Sequence, residues 1–481
     1  MSDRLDARLR DSAAVGAAAD ALVGETAWIV GGAVREGLLD RAVTDLDLAV
    51  ASGEDAAAKA VAGALDGHAF ALSERHGTWR VAAPGAGFGV DVTRLRGGDI
   101  EADLAARDFT VNAMAVELRA AAAGGASEKL IDPIRGRADL EAGLLRAVSP
   151  AAFDDDPLRV IRAARFAAAL EMELAEPTAD LARAAAPRTA EPAGERQFAE
   201  LAALVSGPDP IRGLEVLDQL DAMSVVLPEL HELRGVEQNP YHHLDAYGHT
   251  IEVLRRLLEV ESDLERFTGE HAAAVRAALA EPLADELDRA GALRFGALFH
   301  DLGKPETRSV NNEGRVLFLG HDRVGARLVA TICERLRTSR RLRGYLERIC
   351  LDHLRLGFLV HERPLLRRSV FEYLDATHPD SVDVTVLTVA DRLATQGDKT
   401  RKEAIDSHLE LARTMIGEAL GWRETGPPRP PIAGDELAAE LGIERGPELG
   451  RLMRELSAAV FAGEVSTREE AVVYAAKQPS G

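Results

Sequence analysis

Cysteine is almost absent: Cys333 and Cys350 are the only two in 481 residues. That excludes a disulfide framework and any cysteine-based zinc cluster. Aromatic residues make up only 4% of the chain. No apolar run approaches the ~18–20 residues that cross a bilayer. Residues Met1 to Arg10 are charged and lack the apolar core of a secretion signal. The expectation is a cytoplasmic protein with no membrane partner. Positive charge is also short, with 57 Lys and Arg against 79 Asp and Glu, a net charge of −22. Phosphate binding needs local positive charge, so this balance argues against a general nucleic-acid binder. What remains is an ordinary globular composition, 46% hydrophobic and 28% charged, in a chain long enough for about two to four domains.

Alanine- and leucine-rich stretches from about Asp139 onward favour helix. The start is different. Ala27 to Val30 is a short, partly β-branched apolar run that ends at Gly31 and Gly32, the pattern of a strand and its turn. Leu46 to Val50 and Gly89 to Val92 look like further strands. The expected fold class is α+β, with a small mixed-sheet head over residues 1–135. An all-helical remainder follows: a neck over 136–230, a body over 231–422 and a tail over 435–481. Breaks between helices are expected near Pro187–Pro192 and Pro208–Pro210. Four prolines within 427–431 make residues 423–434 the clearest linker.

Two constellations carry chemistry. In the first, Gly31 and Gly32 join a strand to a helix, where backbone amides approach a phosphate closely. Asp45 and Asp47 then stand two residues apart in a strand pattern, so both carboxylates face the same way. Such anions repel unless a cation bridges them, and Mg²⁺ takes oxygen ligands of this kind together with substrate phosphates. Asp91, in a neighbouring strand-like run, is a candidate third carboxylate. A lone pair of this spacing is more often a solvated strand edge. In the second constellation, His300 and Asp301 are adjacent, with His249 upstream and Asp391 downstream. Imidazole and carboxylate ligands from separate helices can hold a divalent metal that activates water. His321 and His353 are candidate further ligands or phosphate contacts.

The segment Gly31-Gly32-Ala33-Val34-Arg35, followed by Asp45-Leu46-Asp47, resembles the head of class II tRNA nucleotidyltransferases and bacterial poly(A) polymerases. These belong to the polymerase-β-like nucleotidyltransferase superfamily. Further segments follow in the family's order. Residues 103–115 resemble its ribose-recognition motif RRDxxxN, and 131–140 its join between head and neck. Residues 155–166 resemble its nucleotide-selecting motif EDxxR, and 195–201 the motif that braces it. The His300-Asp301 segment, with Gly303 and Lys304, resembles the HD metal-dependent phosphohydrolase superfamily. Some longer tRNA nucleotidyltransferases carry such a domain, with phosphatase or cyclic phosphodiesterase activity; in others the unit is purely structural.

The resemblance implies a template-independent enzyme that adds C and/or A to a tRNA 3′ end from CTP and ATP, with Mg²⁺ as cofactor. Asp45, Asp47 and Asp91 are then catalytic, and Asp45 and Asp47 hold the Mg²⁺. Arg35 and the glycine amides grip the triphosphate. Arg107, Asp108 and Asn112 suit the ribose and phosphates. Asp156 and Arg159, expected three apart on one helix, present an acceptor and donors that imitate a Watson–Crick edge. Arg162 and Arg165 complete the nucleotide-binding set. His249, His300, Asp301 and Asp391 hold a second divalent metal. Two rival readings stay open: a poly(A) polymerase, and an HD phosphohydrolase whose head only binds nucleotide or RNA.

Three positions depart from the family pattern. Glu36 stands for the usual Asp, Asp155 for the usual Glu, and Ala106 for the first Arg of the ribose motif. The interval from Asp91 to Asp103 is also short beside that of full CCA-adding relatives, which leaves CCA-adding, CC-adding and A-adding enzymes all open. Toward the C-terminus, Thr467 and Glu470 have the spacing of a capping box, and Gly446-Pro447 suits a helix start facing a backbone phosphate. Arg335 to Arg348 contains six arginines and one glutamate, a candidate tRNA contact.

Overall fold

The structure is a computed structural model that describes residues 2–73, 77–83, 88–362 and 364–478. It divides into two units, Met1–Pro192 with Gly207–Val225, and Ala193–Ser206 with Val226–Gly481.

Among the described residues, the first unit holds one seven-stranded sheet. Its strands are β1 (Ala27–Val30), β2 (Asp45–Val50), β3 (His68–Ser73), β4 (Thr78–Ala82), β5 (Gly89–Arg94), β6 (Ala115–Glu117) and β7 (Leu130–Ile131). Their order is β3-β4-β5-β2-β1-β6-β7. Only β2 and β5 pair in parallel, which makes the sheet mixed. That register sets Asp47 beside Asp91 and Asp45 beside Gly89. Along β2 the alternation is strict at first: Leu46 and Leu48 are buried while Asp45 and Asp47 face the other side. The expected strands are all present. β3 and β4 were not evident in the sequence, because β3 is an edge strand with Phe70 and Leu72 exposed, so no alternation marks it.

After the sheet the first unit is helical apart from one short parallel pair, Leu144–Leu145 with Glu173–Leu174, which corrects the expectation of an all-helical neck. In the helix Arg159–Ala169, Val160, Ile161, Ala163, Ala164 and Phe166 are buried. Arg159, Arg162 and Arg165 therefore recur every three residues along one edge. One expectation needs correction here. Asp156 and Arg159 do not share a helix. The preceding helix, Ala152–Asp155, ends at Asp156, whose backbone is extended (φ −151°, ψ 100°). Pro157 is the cause, since a residue before proline is pushed out of the helical region. The Asp156 carboxylate instead accepts the Leu158 amide at 3.2 Å, at the head of the next helix.

The second unit is helical apart from two short ribbons, Pro282–Ala284 with Leu287–Asp288 and Arg308–Val310 with Val316–Phe318. An all-helical body was expected, so the ribbons are an addition. Helix Ser381–Ala394 is buried almost all round, from Ser381 to Ala390, and packs against Ala246–Ser262 and Lys402–Thr425. Its buried Asp383 is answered by Arg289 at 2.7 Å and by the Tyr345 hydroxyl at 2.9 Å. Helix Lys402–Thr425 stops at Gly426, whose φ of +73° glycine tolerates best. The prolines follow, then three helices: Gly434–Leu441, Pro447–Phe461 and Arg468–Ala476. Thr467 and Glu470 form the capping box. The proline stretch is anchored rather than slack. Ile432 lies in the tail's own core. Phe461 meets Trp422 and Phe371, and Arg368 reaches Glu464 and Tyr474. Among the described residues no helix is long and apolar enough to cross a membrane.

Candidate active sites in the two units

The first site forms where β1 turns into the helix Gly32–Leu38. Gly31 has φ +68° and ψ −125°, a conformation that L side chains avoid. A methyl group there would lie 2.9 Å from Arg107 Nη1 and 3.3 Å from Asp47 Oδ2. The glycine thus lets a carboxylate and a guanidinium close on the turn from two sides. Burial raises the pKa of Asp47; Arg107 and Arg35 oppose that shift, while Asp91 and Asp45 reinforce it. A half-buried anion crowded by two others is a good host for a cation. Asp91 sits beside Asp47 in register, but both of its oxygens are engaged by Arg80, at 2.8 and 2.9 Å.

Behind the turn a polar chain ties the expected nucleotide-binding residues together. Arg35 donates to Asn112 Oδ1, and the Asn112 amide donates to Asp108 at 3.1 Å. Asp108 pairs with Arg162 at 2.7 Å. Burial disfavours the charged Asp108, but Arg162, Asn112 and the Phe109 amide outweigh it and bring the pKa down to about 2. Arg107 is steered by Asp103 at 2.9 Å, and Arg159 donates to the carbonyls of Ala106 at 2.9 Å and Ala152 at 3.0 Å. Arg165 lies over the Phe166 ring at 4.1 Å. The structure therefore brings Gly31, Arg35, Asp47, Asp91, Arg107, Asp108, Asn112 and Arg162 into one connected network. Glu36 folds back onto Arg35 at 2.7 Å. Sequence reasoning gave no role to Arg80 or Asp103. The i,i+4 spacing of Asp103 and Arg107 was the available signal.

The second site lies within the helical unit and is more deeply enclosed. Asp301 is its hub, 3.1 Å from His300 Nε2, 3.7 Å from His249 Nε2, 3.4 Å from His321 Nε2 and 3.9 Å from His353 Nε2. His249 Nε2 is also 3.0 Å from Asp391. His300, His321 and His353 share a posture. The Nδ1 of each meets the carbonyl three residues back, of Ala297, Phe318 and Cys350, at 2.8, 2.7 and 2.6 Å. That contact engages Nδ1 and turns Nε2 toward Asp301, the orientation of a metal-ligating imidazole. Burial holds His353 neutral, with its pKa down to about 4. Two ligand trios result, His249-His300-Asp301 and Asp301-His321-His353, each with its atoms within 4.8 Å of one another. His300 Nε2 and Asp301 Oδ2 are buried and face each other. This donor set, four imidazoles around one buried carboxylate, fits divalent metal. Lys304, quoted in the sequence pattern without a role, reaches Asp301 at 2.6 Å and Gln238 at 2.6 Å.

Family models match three segments of the chain. The poly A polymerase head domain family matches residues 27–146, the probable RNA and SrmB-binding site of polymerase A matches 171–234, and the HD domain family matches 247–396. An A-adding tRNA nucleotidyltransferase of Deinococcus radiodurans is 34% identical over 463 residues, covering 93% of this chain and 94% of its own length. The chain belongs to the tRNA nucleotidyltransferase family. A CC-adding member from Thermus thermophilus is 34% identical, with 93% of this chain and 92% of that protein covered. The fold is also that of a Thermotoga maritima CCA-adding enzyme complexed with tRNA, with TM-score 0.54, 20% identity, and 96% of this chain and 93% of that one covered.

Within this family member, residues Asp156 to Arg165 fall between the matched head and RNA-binding segments. Glu195 faces Arg337 at 3.4 Å. The arginine stripe is largely consumed internally. Arg335 pairs with Glu229, Arg337 with Glu195, Arg343 with Glu334 and Glu347, and Arg348 with Asp380. It is a weaker phosphate-binding surface than its sequence suggests.

Proposed function

We propose that this chain adds C and/or A to the 3′ end of tRNA by metal-dependent nucleotidyl transfer from CTP or ATP, in the cytoplasm. The observation that carries the reading is Asp47. It is a half-buried carboxylate set against Gly31 and Arg107 on a strand shared with Asp45. Those two aspartates would hold Mg²⁺, which supplies charge stabilisation for the attacking and leaving oxygens. The chain's residues do the rest. Gly31 and Gly32 amides and Arg35 bind the triphosphate, and Arg107, Asp108 and Asn112 position the ribose. Asp156 offers an acceptor to an exocyclic amine and Arg159 a donor to the base edge; Arg162 holds Asp108 in place, and Arg165 lies on the same helix edge. Asp91, clamped by Arg80, acts as a neighbouring charge rather than a ligand. Similarity along more than nine-tenths of the chain to enzymes that add A alone or CC alone favours tRNA over generic RNA. It also agrees with the short 91–103 interval. Asp47→Ala is expected to lower incorporation of labelled nucleotide into tRNA lacking its terminus by roughly 10³-fold or more; near-normal incorporation contradicts the assignment.

A second reading concerns the helical unit. Two histidine trios sharing Asp301 favour an active phosphohydrolase centre over a purely structural one. His249, His300, Asp301 and Asp391 would hold one divalent metal, and His321 and His353 would extend the set. Bound metal supplies an activated water. Asp301 orients the ligands, and Lys304 places a further positive charge beside it.

A further inference from the structure

The outer hairpin of the seven-stranded sheet, β3 with β4, has one covered face and one open face. Helix Glu54–Ala64 packs on the first. There Val81, Val90 and Val92 are buried, and Lys59 Nζ lies 5.3 Å from the centre of the Trp79 ring. The other face is the one on which Asp47 lies. Strand register carries it across the sheet in one row: Asp47 stands opposite Asp91, Asp91 opposite Arg80, and Arg80 opposite Phe70. Residues directly opposite on paired strands point to the same side. At the end of this row Phe70 is 42% exposed. His68, two residues earlier and so on the same face, is stacked with it, ring centres 5.9 Å and planes 28° apart. Edge strands ordinarily carry charge that wards off other chains. Strand β3 carries none, since His68–Ser73 contains no Lys, Arg, Asp or Glu.

We propose that this open face is a stacking platform for single-stranded RNA, on which Phe70, backed by His68, holds a base of the tRNA strand being extended. The inference rests on the nucleotidyl-transfer reading of the first unit. Single-stranded ends are held by stacking unpaired bases on aromatic rings, and every base has a face to offer. The charges along the row permit it. Arg80 engages both oxygens of Asp91, at 2.8 and 2.9 Å. A neutral pair, and not a bare anion, therefore lies between the platform and Asp47, and a phosphodiester can cross it. The spacing selects the base. Strands lie about 4.8 Å apart, so three steps set Phe70 roughly 14 Å from Asp47. The incoming base is taken by Asp156 and Arg159 in the proposed reaction, which leaves Phe70 to a base behind the reacting 3′ end. A protein strand added to the free edge of β3 would use main-chain groups and gain nothing from the face shared with Asp47.

Fluorescence anisotropy of the full chain with 5′-labelled tRNA ending at the discriminator base, at C and at CC tests the platform. For the tightest-bound of these ends, Phe70→Ala should weaken binding roughly tenfold. Phe70→Leu, which keeps apolar bulk without the ring, should lose nearly as much, and Phe70→Trp should bind like wild type. Melting temperature should be unchanged in all three. An abasic nucleotide placed in turn at each of the last three positions should, at one of them, reproduce the loss in wild type and cost nothing further in Phe70→Ala. In extension assays KM for tRNA should rise in Phe70→Ala while KM for CTP or ATP stays within twofold. Phe70→Ala or Phe70→Leu binding tRNA like wild type overturns the proposal, as does a rise in KM confined to CTP or ATP. Abasic losses that add to that of Phe70→Ala at every position also overturn it. A dimer in solution that Phe70→Ala dissociates assigns the edge to a second copy and overturns it too. Phe70-dependent stacking in a protein that extends no tRNA supports the platform and rejects the nucleotidyl-transfer reading. Normal extension with tRNA binding indifferent to Phe70 rejects the platform and leaves the reaction standing.

Discussion

The two centres rest on different kinds of scaffold. In the first unit, carboxylates ride on adjacent strands beside a glycine turn, and most of their partners are arginines. Asp45 is exposed and Asp47 half-buried, and the positive groups are spread along a chain from Arg35 to Arg162. In the second unit, imidazoles project onto one fully enclosed aspartate, and three of them, His300, His321 and His353, are held through Nδ1 by the carbonyl three residues back. The open, charge-lined site suits a nucleotide that brings its own phosphates and leaves again. The enclosed site suits a resident metal, because its ligands are oriented before metal arrives.

Substitutions on each side sharpen this contrast. The largest effect is expected in the second unit. His300→Ala removes an oriented ligand from an enclosed set, so metal affinity should fall by roughly 10²-fold or more. Elemental analysis of the purified variant checks this, and retention of a full metal complement would break the comparison. Gly31→Ala comes next. The strained backbone alone costs about 1–3 kcal/mol, and the added methyl displaces Arg107. Nucleotide affinity measured by calorimetry should fall roughly tenfold or more. The smallest effect concerns Asp108. Its pKa is about 2 when folded against an ordinary value of 3.8, so the folded state favours the charged form. That contributes about 2 kcal/mol at neutral pH, fully present above about pH 4 and lost as pH falls toward 2. Urea unfolding of Asp108→Asn should therefore show its deficit at pH 7 and about half of it at pH 3. A deficit independent of pH would show that the Arg162 pair does not act through ionisation.

Much of this was legible in the sequence, unevenly. The alternation of Asp45, Leu46, Asp47 and Leu48 carried both the strand and the shared face of the two carboxylates. The ordered motifs marked the head, and the spaced histidines marked the second centre. What failed did so for local reasons. Asp156 and Arg159 had helical spacing, but Pro157 breaks the helix between them. The arginine stripe read as a basic surface because its partners, Glu229, Glu195 and Asp380, lie far away in sequence. Arg80 and Asp91 are likewise joined only by strand pairing. The proline stretch read only as a linker because nothing local shows that Ile432 is buried in the tail or that Phe461 meets Trp422. Nor does the alternation in β5 show that Asp91 is turned to Arg80.

The net charge of −22 weighed against nucleic acid at the outset, and the internal pairing of the arginine stripe strengthens that weight for generic RNA. A defined tRNA terminus is a different partner, one that a few local phosphate contacts can hold. The decisive measurement uses pure protein and tRNA ending at the discriminator base, at C, or at CC, with CTP or ATP supplied singly. The account predicts addition of one or two C residues, a single A, or both in order, on the matching ends only. No extension of any end, or long A-tails on unrelated RNA, would contradict it.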